Sequence, residues 1–159
     1  AADDPALPQL QARFLACYGE ALAVATRPFP GVEDLLTALE ARGFPWGVVT
    51  NKPARFTEPL LAALGLAVRA ACVVSGDTTR HAKPHPEPLV YACKRLGLSP
   101  WRCWYLGDAE RDIRAGRWAG MVTVAAEYGY IDPEDAPDLW GAHGLIAHPR
   151  ELLPHLMAG

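Results

Sequence analysis

Trp104-Tyr105-Leu106-Gly107-Asp108-Ala109-Glu110-Arg111-Asp112-Ile113-Arg114-Ala115-Gly116-Arg117-Trp118-Ala119-Gly120-Met121 carries the most structural information in this chain. An apolar run that breaks at Gly107-Asp108 and passes at once into helical periodicity reads as a buried parallel strand, a turn and a helix. The carboxylates therefore gather at the strand's carboxyl end, the edge where open α/β sheets bind ligands. Asp108 and Asp112, at i and i+4 across the turn, can face one small volume. Two carboxylates so close repel one another unless a positive charge lies between them. Mg²⁺ suits that role, because it accepts one or two protein carboxylates together with water and a substrate phosphate. A second reading of the same residues makes Asp108 a helix N-cap, with Glu110 and Asp112 favouring the positive helix end.

The 159 residues, 50% hydrophobic and 21% charged, can bury one sizeable core, so one main domain is expected. A net charge of −3 with interspersed signs offers no basic stripe for nucleic acid or an anionic membrane surface, and no apolar run is long enough to span a bilayer. A small-molecule partner fits better. Cys17, Cys72, Cys93 and Cys103 are widely spaced and form no Cys-x-x-Cys pair, so reduced thiols in the cytoplasm are the simplest expectation, each in the core or half-buried. The sequence carries no signature of oligomeric state.

Leu7, Leu10, Phe14, Leu15, Tyr18, Leu22 and Ala25 recur at helical spacing, predicting an amphipathic helix over 7–25. Arg27-Pro28-Phe29-Pro30-Gly31 stops it and separates a helical accessory segment, 1–27, from an α/β core, 28–159. In the core the pattern predicts helices over 32–41, 55–64 (in spite of Pro59), 86–96, 109–119 and 151–157. Strands are predicted over 46–50, 71–75, 103–106, 121–126 and 144–147. Such alternation predicts a parallel sheet covered by helices on both faces.

Each strand end carries a polar residue. The first runs into Thr50-Asn51-Lys52-Pro53, a hydroxyl and an amide ahead of a helix start whose backbone N–H groups can cradle an anion, or else an ordinary turn. The second leads to Ala82-Lys83-Pro84-His85-Pro86-Glu87-Pro88, in which prolines stiffen the loop around one lysine and allow it to be aimed as a fixed charge. A hydroxyl, a lysine and a carboxylate pair at successive strand ends together make a site for a phosphate and its metal. His81, His85, His143, His148 and His155 show no ligand spacing and are expected on loops or the surface.

Val48-Val49-Thr50-Asn51-Lys52, then Lys83-Pro84, then Gly107-Asp108-x-x-x-Asp112 resemble, in order, motifs two to four of the haloacid dehalogenase-like hydrolase superfamily. Ala82-Lys83-Pro84-x-Pro86-Glu87-Pro88-Leu89 and Gly107-Asp108-Ala109-Glu110-Arg111-Asp112-Ile113 are similar to its phosphoglycolate phosphatase branch. Tyr128-Gly129-Tyr130-Ile131-x-Pro133-Glu134-Asp135 with Trp140-Gly141 leans toward the sugar-phosphate members, the N-acetylmuramic acid 6-phosphate phosphatases. The resemblance implies a Rossmann-like three-layer α/β sandwich with a mainly parallel sheet, 1–27 being the last helix of a helical cap. It implies an Mg²⁺-dependent phosphomonoester hydrolase working through an aspartyl-phosphate. Thr50, Lys83, Asp108 and Asp112 would be catalytic, Thr50, Asn51 and Lys83 would bind phosphate, and Asp108 and Asp112 would serve the metal, with Asp112 orienting a metal-bound water or Lys83.

One motif has no counterpart. The family opens with Asp-x-Asp on a central strand, the first aspartate being the nucleophile, and no Asp-x-Asp pair occurs in 1–159. The expectation is a chain lacking that strand and most of the cap, inactive alone, with an open slot or a foreign strand between 46–50 and 103–106. Two other classes remain: a non-catalytic module that binds phosphate or a partner, and a receiver-type signalling domain. In a receiver the acidic pair comes early and the lysine last, the reverse of the order here.

Overall fold

The computed structural model describes residues 9–10, 13, 25–132 and 134–156, so the expected accessory helix over 7–25 lies almost wholly outside the described residues. From Val32 onward each element that periodicity predicts is present, displaced by at most two residues at its ends. The order is α1 (Val32–Ala41), β1 (Gly47–Val49), α2 (Ala54–Ala63), β2 (Cys72–Val74), α3 (Glu87–Leu96), β3 (Trp104–Gly107), α4 (Glu110–Ala119), β4 (Val122–Ala126), β5 (Gly144–Ile146) and α5 (Leu152–Leu156). The unit from β3 to β4 shows how local chemistry sets the boundaries. α4 ends at Gly120, whose φ of 79° lies in the left-handed region that a Cβ disfavours, and the chain is thereby turned back into β4.

Among the described residues every strand pairing is parallel, and α2 and α4 make the β1–β2 and β3–β4 crossovers. β1 pairs β2 with Val48 opposite Val73, while β3, β4 and β5 pair in that order with Leu106 opposite Val124 and Ala125 opposite Leu145. Because side chains alternate across a strand, the second sheet has two apolar faces. Leu106, Val124 and Ile146 pack with Leu35 of α1 and Leu152 of α5. On the other face Tyr105 lies against Leu89 and Cys93 of α3 and Ala115 of α4. A Cβ on Gly116 would stand 3.3 Å from Tyr105 Cδ1, which shows how closely α4 approaches the sheet. The result is helix, sheet, helix: a Rossmann-like α/β arrangement. Leu35, Val74, Leu89 and Ile113 are buried, each stabilising the fold by about 1.5–3 kcal/mol relative to exposure. Of the cysteines, Cys93 is buried and Cys72 and Cys103 are half-buried, all as free thiols, while Cys17 lies outside the described residues.

Among the described residues no ladder joins β1 to β3, so the strands form a two-stranded and a three-stranded sheet. A strand edge left without a backbone partner must satisfy its polar groups otherwise. Val49 O, on β1, accepts from Lys83 Nζ at 2.8 Å and from the Tyr105 hydroxyl at 3.2 Å. Side chains thus span the interval between the two sheets. No helix among the described residues is long and apolar enough to cross a membrane.

Candidate active site

The loop after β1 is braced on three sides. Thr50 N extends the pairing by donating to Val74 O at 2.9 Å, and Lys52 O accepts from Gly76 N at 2.9 Å and from the buried Thr57 hydroxyl at 3.0 Å. A Cβ on Gly76 would overlap the Asn51 backbone, so the loops after β1 and β2 touch there without side chains between them. Thr50 Oγ1 accepts from Lys52 N at 3.1 Å, and Ala54 N at the start of α2 donates to Asp77 Oδ1 at 2.9 Å. These bonds use two of the backbone N–H groups expected to cradle an anion, so the anion-binding capacity of this turn is smaller than its sequence suggests.

Asn51 spends its side chain on the loop that carries the lysine. Its Nδ2 donates to Lys83 O at 2.8 Å and its Oδ1 accepts from Lys83 N at 3.0 Å, a reciprocal amide clamp. Held there, with the Lys83–Pro84 peptide cis, Lys83 sends its ammonium inward. Nζ donates to Val49 O and to the Tyr105 hydroxyl, both at 2.8 Å, and lies 2.7 Å from Asp112 Oδ1. The side chains of Lys83 and Asp112 are only 8% and 7% exposed, so this is a buried ion pair. Its approach is off the hydrogen-bonding direction. Oδ1 is therefore neutralised in charge yet has no aligned donor, an arrangement that leaves it able to take another partner.

Asp112 gets this close because Gly107 has no side chain, since a Cβ there would stand 2.9 Å from Asp112 Cγ. Asp108 is half-buried and is not the helix N-cap. Ala109 occupies that position in an extended conformation without a side-chain cap bond, and Asp108 Oδ2 instead accepts from Tyr130 N at 3.1 Å. Gly129 makes room for it, because a Cβ would fall 2.6 Å from Asp108 Oδ2. The donor set of Asp108 and Asp112 is carboxylate oxygen only, which suits a hard cation such as Mg²⁺. Asp112 serves Lys83 first, so Asp108 is the better placed ligand.

The structure thus brings Lys83, Asp112 and Asn51 into one connected group, places Thr50 next to Val49 at its edge, and sets Asp108 one turn away against Tyr130. Tyr105 belongs to this group and was not singled out from the sequence. It retains some ring exposure, but its hydroxyl sits between Lys83 and Val49 O. Burial, and then the charges of Asp112 and Asp108, hold its phenol well above the usual tyrosine range, so it stays protonated. The available signal was a phenol in a strand expected to be buried, since a buried Tyr hydroxyl needs a partner. Tyr128 is pushed up to about 12 by burial and then by Asp108.

His81 and His85 lie exposed on a loop, as their sequence context suggests, yet the fold brings them together in a way their spacing does not show. His81 and His85 stack with ring centroids 4.3 Å apart, and with Glu87 they bring three possible ligand atoms within 4.8 Å of one another. Proline turns fold the short segment back on itself, which linear spacing did not reveal.

The family model for haloacid dehalogenase-like hydrolases matches residues 3–120. The chain is 49% identical over 151 residues to an N-acetylmuramic acid 6-phosphate phosphatase of Pseudomonas aeruginosa, covering 95% of this chain and 67% of the relative. It is 43% identical over 150 residues to a phosphoglycolate phosphatase of Xylella fastidiosa, covering 94% and 66%. A crystal structure of a predicted phosphoglycolate phosphatase from Haemophilus somnus superposes with a TM-score of 0.82 at 32% identity, over 87% of this chain and 61% of that one. The chain therefore spans about two thirds of the length of the curated relatives it matches. On the match over residues 3–120 and these identities, the chain belongs to the haloacid dehalogenase-like hydrolase family.

Proposed function

We propose that residues 28–159 are the core of an Mg²⁺-dependent hydrolase of small phosphomonoesters, with a sugar phosphate favoured over phosphoglycolate. The observation that carries this reading is the buried Lys83–Asp112 pair at the end of β1, held by Asn51 and Tyr105. An ammonium fixed in a water-poor site stabilises charge that develops on phosphoryl oxygens, because it need not reorganise during the reaction. Thr50 Oγ1 already accepts from Lys52 N, so its own proton is left to donate to a phosphate oxygen. Asp112 holds Lys83 in place. Asp108 would hold Mg²⁺, which when bound would neutralise the phosphoryl oxygens.

In this reading the nucleophile would be the first aspartate of an Asp-x-Asp pair, a motif that residues 1–159 do not contain, on a strand lying between β1 and β3. Its carboxylate would attack phosphorus as the ester P–O bond breaks, and the second aspartate of that pair would give its proton to the departing alcohol oxygen and regain one from the water of the next step. Water then cleaves the aspartyl-phosphate, releasing inorganic phosphate and restoring the carboxylate. The strand's backbone would take over the edge of β1 that Lys83 and Tyr105 now satisfy. The sugar-phosphate preference rests on the Tyr128-Gly129-Tyr130 segment beside Asp108 and on the relative of higher identity, itself named for such a substrate. In the core's own substrate class, the partner is a small molecule.

The test is an assay of the native protein extended to include an Asp-x-Asp strand, with N-acetylmuramic acid 6-phosphate, phosphoglycolate and a chromogenic aryl phosphate. Turnover that needs Mg²⁺ is expected, with most of it lost in Asp108→Asn and Lys83→Ala. No metal-dependent turnover on any of the three overturns the proposal. Residues 1–159 alone are expected to show none, and a native protein whose intact mass matches a start at Ala1 would favour a phosphate-binding module instead.

A further inference from the structure

We infer that His81, His85 and Glu87 form a binding site for a divalent transition-metal ion of the Zn²⁺ class, separate from the carboxylates of the candidate active site. His81 and His85 lie on the connection between β2 and α3 and Glu87 opens α3, and among the described residues they are the one group with three ligand atoms gathered within 4.8 Å. Two imidazoles and a carboxylate are borderline ligands that suit Zn²⁺, Co²⁺ or Ni²⁺ far better than Mg²⁺.

Both imidazoles turn the same nitrogen toward Glu87. His81 Nδ1 is 2.7 Å from Glu87 Oε2, and His85 Nδ1 accepts from Glu87 N at 3.2 Å. Ligand atoms around one such ion sit about 3 Å apart, given metal–ligand bonds of about 2.1 Å. The first pair stands at 2.7 Å, and the third ligand atom, from His85, lies within 4.8 Å of the other two. The backbone beneath is fixed by the Thr79 hydroxyl on His81 O (2.8 Å), His81 N on the Glu87 carboxylate (3.0 Å) and His85 N on Ala82 O (3.0 Å).

The two rings stack with centroids 4.3 Å apart beside the Glu87 carboxylate, so the three side chains face one small, solvent-open volume. The position of Glu87 in the first turn of α3 opposes a cation somewhat, since the helix start is itself positive. Water would complete the coordination, because all three side chains are open to solvent. Lys83 lies between the two histidines, so coordination would tie together the ends of the segment that presents it.

The test uses residues 1–159 stripped with chelator and titrated with Zn²⁺ by calorimetry and with Co²⁺ by visible absorption, in excess Mg²⁺. One ion per chain is expected, with affinity falling at least about tenfold in His81→Ala and in His85→Ala. Asp108→Asn should bind as the parent does. Glu87→Gln preserves shape and serves as the second variant if an alanine change unfolds the chain; it too should weaken binding. Binding retained in the His81→Ala/His85→Ala double variant, loss in Asp108→Asn, a thiolate-to-Co²⁺ band in the ultraviolet, or no stoichiometric binding would each overturn the assignment.

Discussion

Lys83 Nζ and Asp112 Oδ1 stand 2.7 Å apart with both side chains more than nine-tenths buried, and each is the other's charge partner. Breaking a buried pair by removing one member leaves an uncompensated charge away from water, at a cost of about 3–5 kcal/mol. Asp112→Ala should therefore lower the unfolding free energy by roughly 3 kcal/mol in urea denaturation. Lys83→Met/Asp112→Leu should recover most of that loss, because it removes both charges and refills the space. Single changes costing under about 1 kcal/mol would mean that water reaches the pair.

Gly107 and Gly129 each clear space for one aspartate. A Cβ at Gly107 would press on Asp112 and one at Gly129 on Asp108, whereas Gly144 has open space around its Cβ position. Gly107→Ala and Gly129→Ala should each cost about 1–3 kcal/mol, as expected for overpacking at a tight contact. Gly144→Ala should stay within about 0.5 kcal/mol of the parent. Thermal unfolding of the three variants side by side checks this, and equal effects at all three would refute it.

Much of this was legible in the sequence because the core obeys simple periods. Leu106, Val124 and Ile146 face one helical layer because parallel strands alternate, and Gly120 ends α4 because it adopts a left-handed turn. The ordered Thr50, Lys83, Asp108 and Asp112 motifs marked the strand ends. What periodicity could not show was contact between distant segments. Tyr105 meets Val49 across the interval between two sheets, and the Asn51 amide clamps the Lys83 backbone from another loop. Asp77 caps α2 from the loop after β2, a use no local pattern announces. The convergence of His81, His85 and Glu87 was hidden for a related reason, since proline turns fold a short segment in a way that spacing along the chain does not encode.

Three protonated groups should shape stability at alkaline pH. Burial, and then neighbouring Cys103, pushes the Cys93 thiol up to about 12, Tyr128 reaches about 12 by burial and Asp108, and Tyr105 lies higher than its ordinary range. In the unfolded chain Cys titrates near ~8.5 and Tyr near ~10. Each folded value is raised, so the stabilisation is fully present below the unfolded value and is lost as pH rises through the folded one. These three groups add no slope near pH 7 to 8 and make stability decline from about pH 9 to pH 12, by up to ~1.4 kcal/mol per pH unit for each proton retained. Urea midpoints measured across this range check the slope. Cys93→Ala should flatten its lower part and Tyr105→Phe its upper part, and a flat profile in the parent would contradict the assignment.

Asn51 provides the sharpest test of how the site is held. If its side chain acts through the lysine loop, Asn51→Ala should lose two hydrogen bonds, at about 1–3 kcal/mol together, and release the segment that aims Lys83. The Lys83 amide, which now donates to Asn51 Oδ1 at 3.0 Å, should then exchange its hydrogen with solvent much faster in residue-resolved measurements. Asn51→Asp should be worse than its size suggests, because it sets a carboxylate oxygen against Lys83 O, where an N–H now donates. A side chain that acted only on phosphate would behave otherwise. Asn51→Ala would weaken inorganic phosphate binding while leaving the Lys83 amide as protected as in the parent, and that result would remove Asn51 from the positioning role assigned to it.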